Sequence, residues 1–105
     1  MNPDAALKAL AEPNRRAILS LVSDRPRSVG DIAAHFEITP QAVSQHLRVL
    51  RDAGLVDEQR QGTRHLFAVK AEGFAAVQSF LAEFWSTHLG QLKESAEGEQ
   101  PGGQP

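Results

Sequence analysis

Cysteine is absent from the 105 residues, and the only methionine is Met1. Disulfides, thiolate metal ligands, thiol redox sensing and cysteine nucleophiles are therefore excluded. No apolar run approaches the roughly 20 residues that cross a bilayer, and Met1-Asn2-Pro3-Asp4 lacks the basic start of a signal peptide. A cytoplasmic chain with no membrane partner is expected. Length is short as well: 105 residues make one domain, near the small end for a self-sufficient core, and a second catalytic domain does not fit. No phosphate-cradling glycine loop is present and no nucleophile can be paired with a base, so neither an enzyme nor a cofactor is expected. The four histidines, His35, His46, His65 and His88, fall on four different expected elements, and no pair has ligand spacing. No metal site is expected.

What is present is an ordinary globular composition, 41% hydrophobic and 23% charged. The formal net charge of -2 argues against a nucleic-acid partner only until position is considered. Glu94, Glu97 and Glu99 stand near the end, so residues 1–93 hold all 11 basic groups but only 10 of the 13 acidic ones. A near-neutral body can still concentrate its arginines on one face.

Leu7 and Leu10, at helical spacing among alanines, predict a first helix over residues 4–11. Pro13 suits the first turn of a second helix, which presents Ile18, Leu19 and Val22 and ends near Ser23. Residues 24–27 read as a turn. Ser28, with Asp31 three residues on, resembles a capping box opening a short third helix that buries Ile32, Ala33 and Phe36 and stops by Glu37. Thr39-Pro40 is a strong start for a fourth helix running to Ala53, where Gly54 supplies a left-handed stop. Strand-like runs 56–60 and 64–69 flank Gln61-Gly62-Thr63 and predict a hairpin. From residue 72 to about 93, Phe74, Val77, Leu81, Phe84, Trp85, Leu89 and Leu92 recur mostly at intervals of three and four and predict a long amphipathic fifth helix. Residues 1–94 form the expected domain; residues 95–105, rich in glycine, glutamine, glutamate and proline, read as a disordered tail.

Two short helices joined by Glu37-Ile38-Thr39 and followed by a basic hairpin make a helix-turn-helix with a wing, a mainly α fold with a small β-hairpin between its fourth and fifth helices. At 100° per residue, Val43, Leu47 and Leu50 lie within about 60° of one another and define the buried side of the fourth helix. Relative to Val43, Gln41, Gln45 and Arg48 fall at roughly 160°, 200° and 140°, with Ser44 and Arg51 at about 100° and 80°. Glutamine pairs with adenine and arginine with guanine, and serine reaches a base edge or a phosphate. Gln41, Ser44, Gln45, Arg48 and Arg51 are thus candidates for major-groove readout, although a polar outer face is also what any solvated helix shows. Arg60, Thr63, Arg64 and His65 cluster at the hairpin tip, within reach of phosphates or a minor groove. His46, about 300° from Val43, suits packing at the margin of the buried side better than base contact. Arg15 and Arg16 suit structural pairing more than phosphate contact.

The runs Leu10-Ala11-Glu12-Pro13-Asn14-Arg15-Arg16-Ala17-Ile18-Leu19, Val29-Gly30-Asp31-Ile32-Ala33, Ala42-Val43-Ser44-Gln45-His46-Leu47-Arg48-Val49-Leu50 and Ala53-Gly54-Leu55-Val56 resemble the ArsR/SmtB family of bacterial winged-helix repressors. That resemblance implies a dimer that binds operator DNA and releases it when an effector binds. It covers nearly everything before the tail. The chain departs from the family's metal sensors: the cysteines of arsenic, cadmium or lead sites are missing, and the fifth helix offers His88 with Gln91 where zinc sensors carry paired ligands. The effector is therefore unknown.

Apolar surface on the fifth helix exceeds what so small a body can cover, so Leu7, Leu10, Phe74, Val77, Leu81, Phe84, Trp85, Leu89 and Leu92 are assigned to a homodimer seam. The aromatics, with Phe80, could instead line a ligand pocket, but aromatics at helical spacing more often form a core or a seam. The expected function is sequence-specific DNA binding by a homodimer, acting as a repressor on an inverted-repeat operator. The alternative is a winged-helix module that binds protein and has no operator.

Overall fold

The computed structural model describes residues 2–89. The order is α1 (Asp4–Leu10), α2 (Pro13–Asp24), α3 (Val29–His35), α4 (Pro40–Asp52), β1 (Val56–Gln61), β2 (Arg64–Val69) and α5 (Ala75–Phe84). This is the winged helix-turn-helix expected from the sequence. Its core gathers Ile18, Leu19 and Val22 of α2, Ile32 of α3, Val43, Leu47 and Leu50 of α4, then Leu55, Val56 and Val77. α1 joins this core through Ala6 and Ala9, while Leu7 stays 38% exposed. Small side chains let a helix approach closely, which is why alanine rather than leucine faces inward there.

Each start signal has its physical counterpart. Glu12 caps α2 by accepting a hydrogen bond from the Arg15 amide at 3.1 Å. The Ser28 hydroxyl accepts from the Asp31 amide at 3.1 Å, but the Asp31 carboxylate turns to Arg27 instead of closing the box. Thr39 accepts from the Ala42 amide at 3.1 Å with Pro40 in the first turn. α4 ends in a Schellman turn: Leu55 N–H donates to the Leu50 carbonyl and Gly54 N–H to the Arg51 carbonyl, both at 2.9 Å, with Gly54 at φ 79°.

Several boundaries differ from expectation. α3 stops at His35, two residues before Glu37. β1 continues through Gln61, so Gly62 and Thr63 alone join the strands, with Gly62 at φ 66°. Residues 24–27 are more than a turn: Arg27 bridges Phe67 of β2 through paired backbone hydrogen bonds of 3.0 and 2.7 Å. Its side chain, 7% exposed, bonds Asp24 and Asp31 at 3.0 Å each and the Leu21 carbonyl at 3.2 Å. That anchors the base of the hairpin to the helical body. The fifth helix is not one uniform element: a 3-10 turn (Ala71–Phe74) leads into α5, and wider π-type winding follows over Trp85–Leu89. The expected stretch to residue 93 and the tail, residues 95–105, lie outside the described residues.

The 3-10 turn packs against the end of α4. A Cβ added at Gly73 would sit 1.7 Å from the Gly54 carbonyl oxygen, so only glycine permits that approach. Lys70 N–H donates to the Leu55 carbonyl at 2.9 Å, carrying the chain from β2 across the same junction.

Candidate nucleic-acid interface

α4 is held by Val43, Leu47 and Leu50, which are 0, 3 and 0% exposed. A helix fixed along that stripe must turn Gln41, Ser44, Gln45 and Arg48 outward, and all four are exposed along one open groove that begins at Pro40. The sequence placed these four on one face, and the structure brings them together. His46 is half-buried at the margin. Arg15 and Arg16 cap the end of α1: Arg15 Nε donates to the Ala9 carbonyl at 2.7 Å and Arg16 to the Leu10 carbonyl at 2.6 Å.

The wing is built from a strand that is almost wholly polar. β1 buries Val56 and exposes Asp57 through Gln61, while β2 turns Leu66 into the core. Its register pairs Arg60 with His65 and Gln61 with Arg64 across the hairpin. Side chains alternate along a strand, so Glu58, Arg60 and His65 share one hairpin face and Arg64 lies on the other. Arg60, Thr63 and Arg64 are all exposed.

Between α4 and the wing lies a shallow cleft of about 140 Å³ lined by Val29, Ser44, Leu47, Arg48, Arg51 and Phe67. Arg51 is not solvated on its own there: its guanidinium donates to Glu58 Oε1 at 2.7 Å. The other Glu58 oxygen bonds His65 Nδ1. This hydrogen bond from His65 holds the Glu58 carboxyl below the usual carboxylate value, partial burial opposes it, and the charges of His65 and Arg51 add to the lowering. Sequence reading missed Glu58. The signal for it was the hairpin register, which sets Glu58 diagonal to His65 on the same face.

A second surface lies on α5. Val77, 8% exposed, belongs to the chain's own core, and Leu10 and Phe74 pack half-buried against that core. Their place on the apolar stripe could not reveal which portion the protomer covers itself. Phe80, Leu81, Phe84 and Trp85 are 44, 54, 41 and 57% exposed, with the Phe80 and Phe84 rings stacked at 6.1 Å between centroids. Leu89 closes the last described turn, and Leu92 lies outside the described residues. Among the described residues no cluster of three or more His, Asp or Glu could hold a metal ion, and no helix is long and apolar enough to cross a membrane.

The pattern of the bacterial regulatory protein arsR family matches residues 12–58, from the cap of α2 into β1. HTH-type transcriptional regulator Rv2034 of Mycobacterium tuberculosis is 40% identical over 88 residues, 84% of this chain and 82% of that protein. Transcriptional repressor SdpR of Bacillus subtilis is 40% identical over 55 residues, 52% of this chain and 61% of that protein. Among solved structures, the homodimeric winged helix-turn-helix DNA-binding domain Mb0332 from Mycobacterium bovis is similar at a TM-score of 0.64 and 30% identity, covering 82% of this chain and 80% of that one. With its fold, its helix-turn-helix and its relatives in agreement, the chain belongs to the arsR family of bacterial regulatory proteins, which are helix-turn-helix transcriptional regulators.

Proposed function

We propose that the protein is a homodimeric repressor that reads an inverted-repeat operator through α4. The observation that carries this is the division of α4 itself: three buried anchors fix it, and Gln41, Ser44, Gln45 and Arg48 stand exposed on the far side. Amide and guanidinium groups so placed match the donor and acceptor edges of the major groove. Arg60, Thr63 and Arg64 of the wing contact the phosphate backbone or the adjacent minor groove, adding affinity with little sequence information. Arg51 reaches a phosphate once the operator is seated.

Leu81, Trp85, Phe80 and Phe84 make the seam between two copies, to which Leu7 of α1 is also assigned. A two-fold dimer places two reading helices about one helical turn of DNA, or a multiple of it, apart, so the operator is an inverted repeat. A dimer seated across a promoter excludes polymerase, which makes repression the expected sign. Residues 1–94 are assigned to the DNA-binding and dimerisation domain. The protein acts in the cytoplasm, without catalysis or cofactor.

Selection of bound duplexes from random DNA, followed by a promoter carrying the selected sequence upstream of a reporter, tests this reading. Recovery of a two-fold symmetric sequence that lowers reporter output is expected. Recovery of no enriched sequence would favour a winged helix that binds protein instead.

A further inference from the structure

Glu58 is an acid set between Arg51 of α4 and Arg60 and His65 of the wing. A carboxylate there weakens attraction to any polyanion by Coulomb repulsion, so a surface shaped for affinity alone has no use for it. Its bonds are specific. One oxygen takes Arg51 of α4 at 2.7 Å and the other takes His65 of β2, which ties the base-reading helix to both strands of the wing. The carboxylate side chain is 28% exposed, while those of Arg51 and His65 are 54% and 51% exposed, so both partners stand partly in solvent. Arg51 shares its cleft with Ser44 and Arg48, and Arg60 stands opposite His65 on the same hairpin face. The lowered pKa of Glu58 keeps it ionised wherever the protein works at neutral pH.

We propose that Glu58 is a specificity-determining residue: its carboxylate, braced from β2 by His65, occupies Arg51 and withholds that guanidinium from indiscriminate phosphate contact until α4 is seated on its operator. This rests on the DNA-binding reading above. On unrelated DNA, α4 does not enter the groove to full depth, the phosphates stay too far to compete with a bond already made at 2.7 Å, and Arg51 contributes nothing. On the operator, base contacts bring the backbone close enough for a phosphate to share the guanidinium, whose five N–H donors are not exhausted by one carboxylate oxygen. The penalty of the acid therefore falls more heavily on the wrong sequence than on the right one.

The test measures binding of the wild type, Glu58→Gln, Arg51→Ala and the double variant to a random-sequence duplex and to a duplex selected by the wild type, at about 50 to 200 mM salt. Glu58→Gln is expected to bind the random duplex about two- to fivefold more tightly. Its logarithmic salt slope should steepen by about 0.9 as Arg51 neutralises one more phosphate, and the ratio of selected to random affinity should fall. Arg51→Ala should weaken the selected complex more than the random one, and in the double variant the steepening of the slope should vanish. Glutamine keeps the size of the side chain, and Arg51→Ala probes the same bond from its other end should Glu58→Gln fold poorly. An unchanged slope in Glu58→Gln, a steepened slope that survives removal of Arg51, or an equal loss on both duplexes in Arg51→Ala would each overturn the proposal. Absence of salt-dependent binding by the wild type to either duplex would overturn the DNA reading itself, and the proposal with it.

Discussion

α4 and α5, on either side of the wing, meet their own chain in opposite ways. α4 sinks Val43, Leu47 and Leu50 and leaves glutamines, a serine and arginines outside; α5 sinks Val77 and leaves Phe80, Leu81, Phe84 and Trp85 outside. A polar face exposed beside a basic wing suits a hydrated, charged partner, whereas an apolar face is stable in water only when something apolar covers it. The two helices are not independent. They meet where Gly73 packs on the carbonyl of Gly54, the residue that ends α4.

Breaking that junction should have the largest effect. Gly73→Ala puts a methyl 1.7 Å from a backbone oxygen, and backbone cannot swing aside as a flexible side chain would. A loss of about 3 kcal/mol or more in denaturant unfolding is expected, or α5 undocked from the body. Gly30, in exposed α3 with nothing within 4 Å of an added Cβ, is the control: Gly30→Ala should be neutral or stabilising by up to ~1 kcal/mol. Equal effects at the two glycines would mean that the junction is not rigid.

A charge on α5 separates assembly from folding. Leu81 is 54% exposed in the protomer, so Leu81→Glu costs the protomer little. In a dimer it buries two carboxylates and should weaken association by about 2 to 4 kcal/mol. Sedimentation at micromolar concentration should then show a folded monomer, and operator affinity should fall with it. A wild type that is itself monomeric there would remove the seam from the reading.

Sharpening the α4 side calls for smaller changes. Gln45→Ala or Arg48→Ala should cost roughly 1 to 3 kcal/mol on the best operator and much less on random DNA. Arg64→Ala should weaken both alike and make the salt slope shallower by about 0.9. Competition between specific and random duplexes across a salt series reads both effects. Equal losses on the two DNAs at Gln45 and Arg48 would mean that α4 does not read sequence.

The α4 face was legible because every cue for it is local: Thr39-Pro40 to start, Gly54 to stop, and a 3.6-residue period between them. α5 was legible only as a stripe. Periodicity marks Val77 and Leu81 alike as apolar and cannot say which one the protomer covers, nor that the winding begins as a 3-10 turn and widens after Phe84. In α1 the sequence marked Leu7 and Leu10 by their size and spacing but gave no sign that Ala6 and Ala9 are the pair buried in the protomer. Arg27 looked like a turn residue because its pairing with Phe67 spans 40 positions of chain and has no local signature. Glu58 was missed for the same reason: Arg51 was assigned to DNA from its angle on the helix, while its bond partner lies on the next element.

The smallest expected effect is a pH dependence that distinguishes the tie between α4 and the wing from mere proximity. The hydrogen bond from His65, aided by the charges of His65 and Arg51, lowers the folded-state pKa of Glu58. A carboxylate held lower in the folded than in the unfolded chain binds fewer protons when folded, so it contributes stability that is fully present above the unfolded value of about 4.3 and is lost as pH falls through the lowered folded value. Glutamine at this position carries no such charge. The melting temperature of Glu58→Gln should therefore lie slightly below that of the wild type above about pH 5, with the gap closing in the acid range below about 4.3. Solvent screening at this exposed site keeps the gap small. Thermal melts of the two proteins in matched buffers at each pH would measure it; a gap that persists unchanged into acid would show that glutamine acts on packing rather than on charge, and would leave α4 and the wing joined by contact alone.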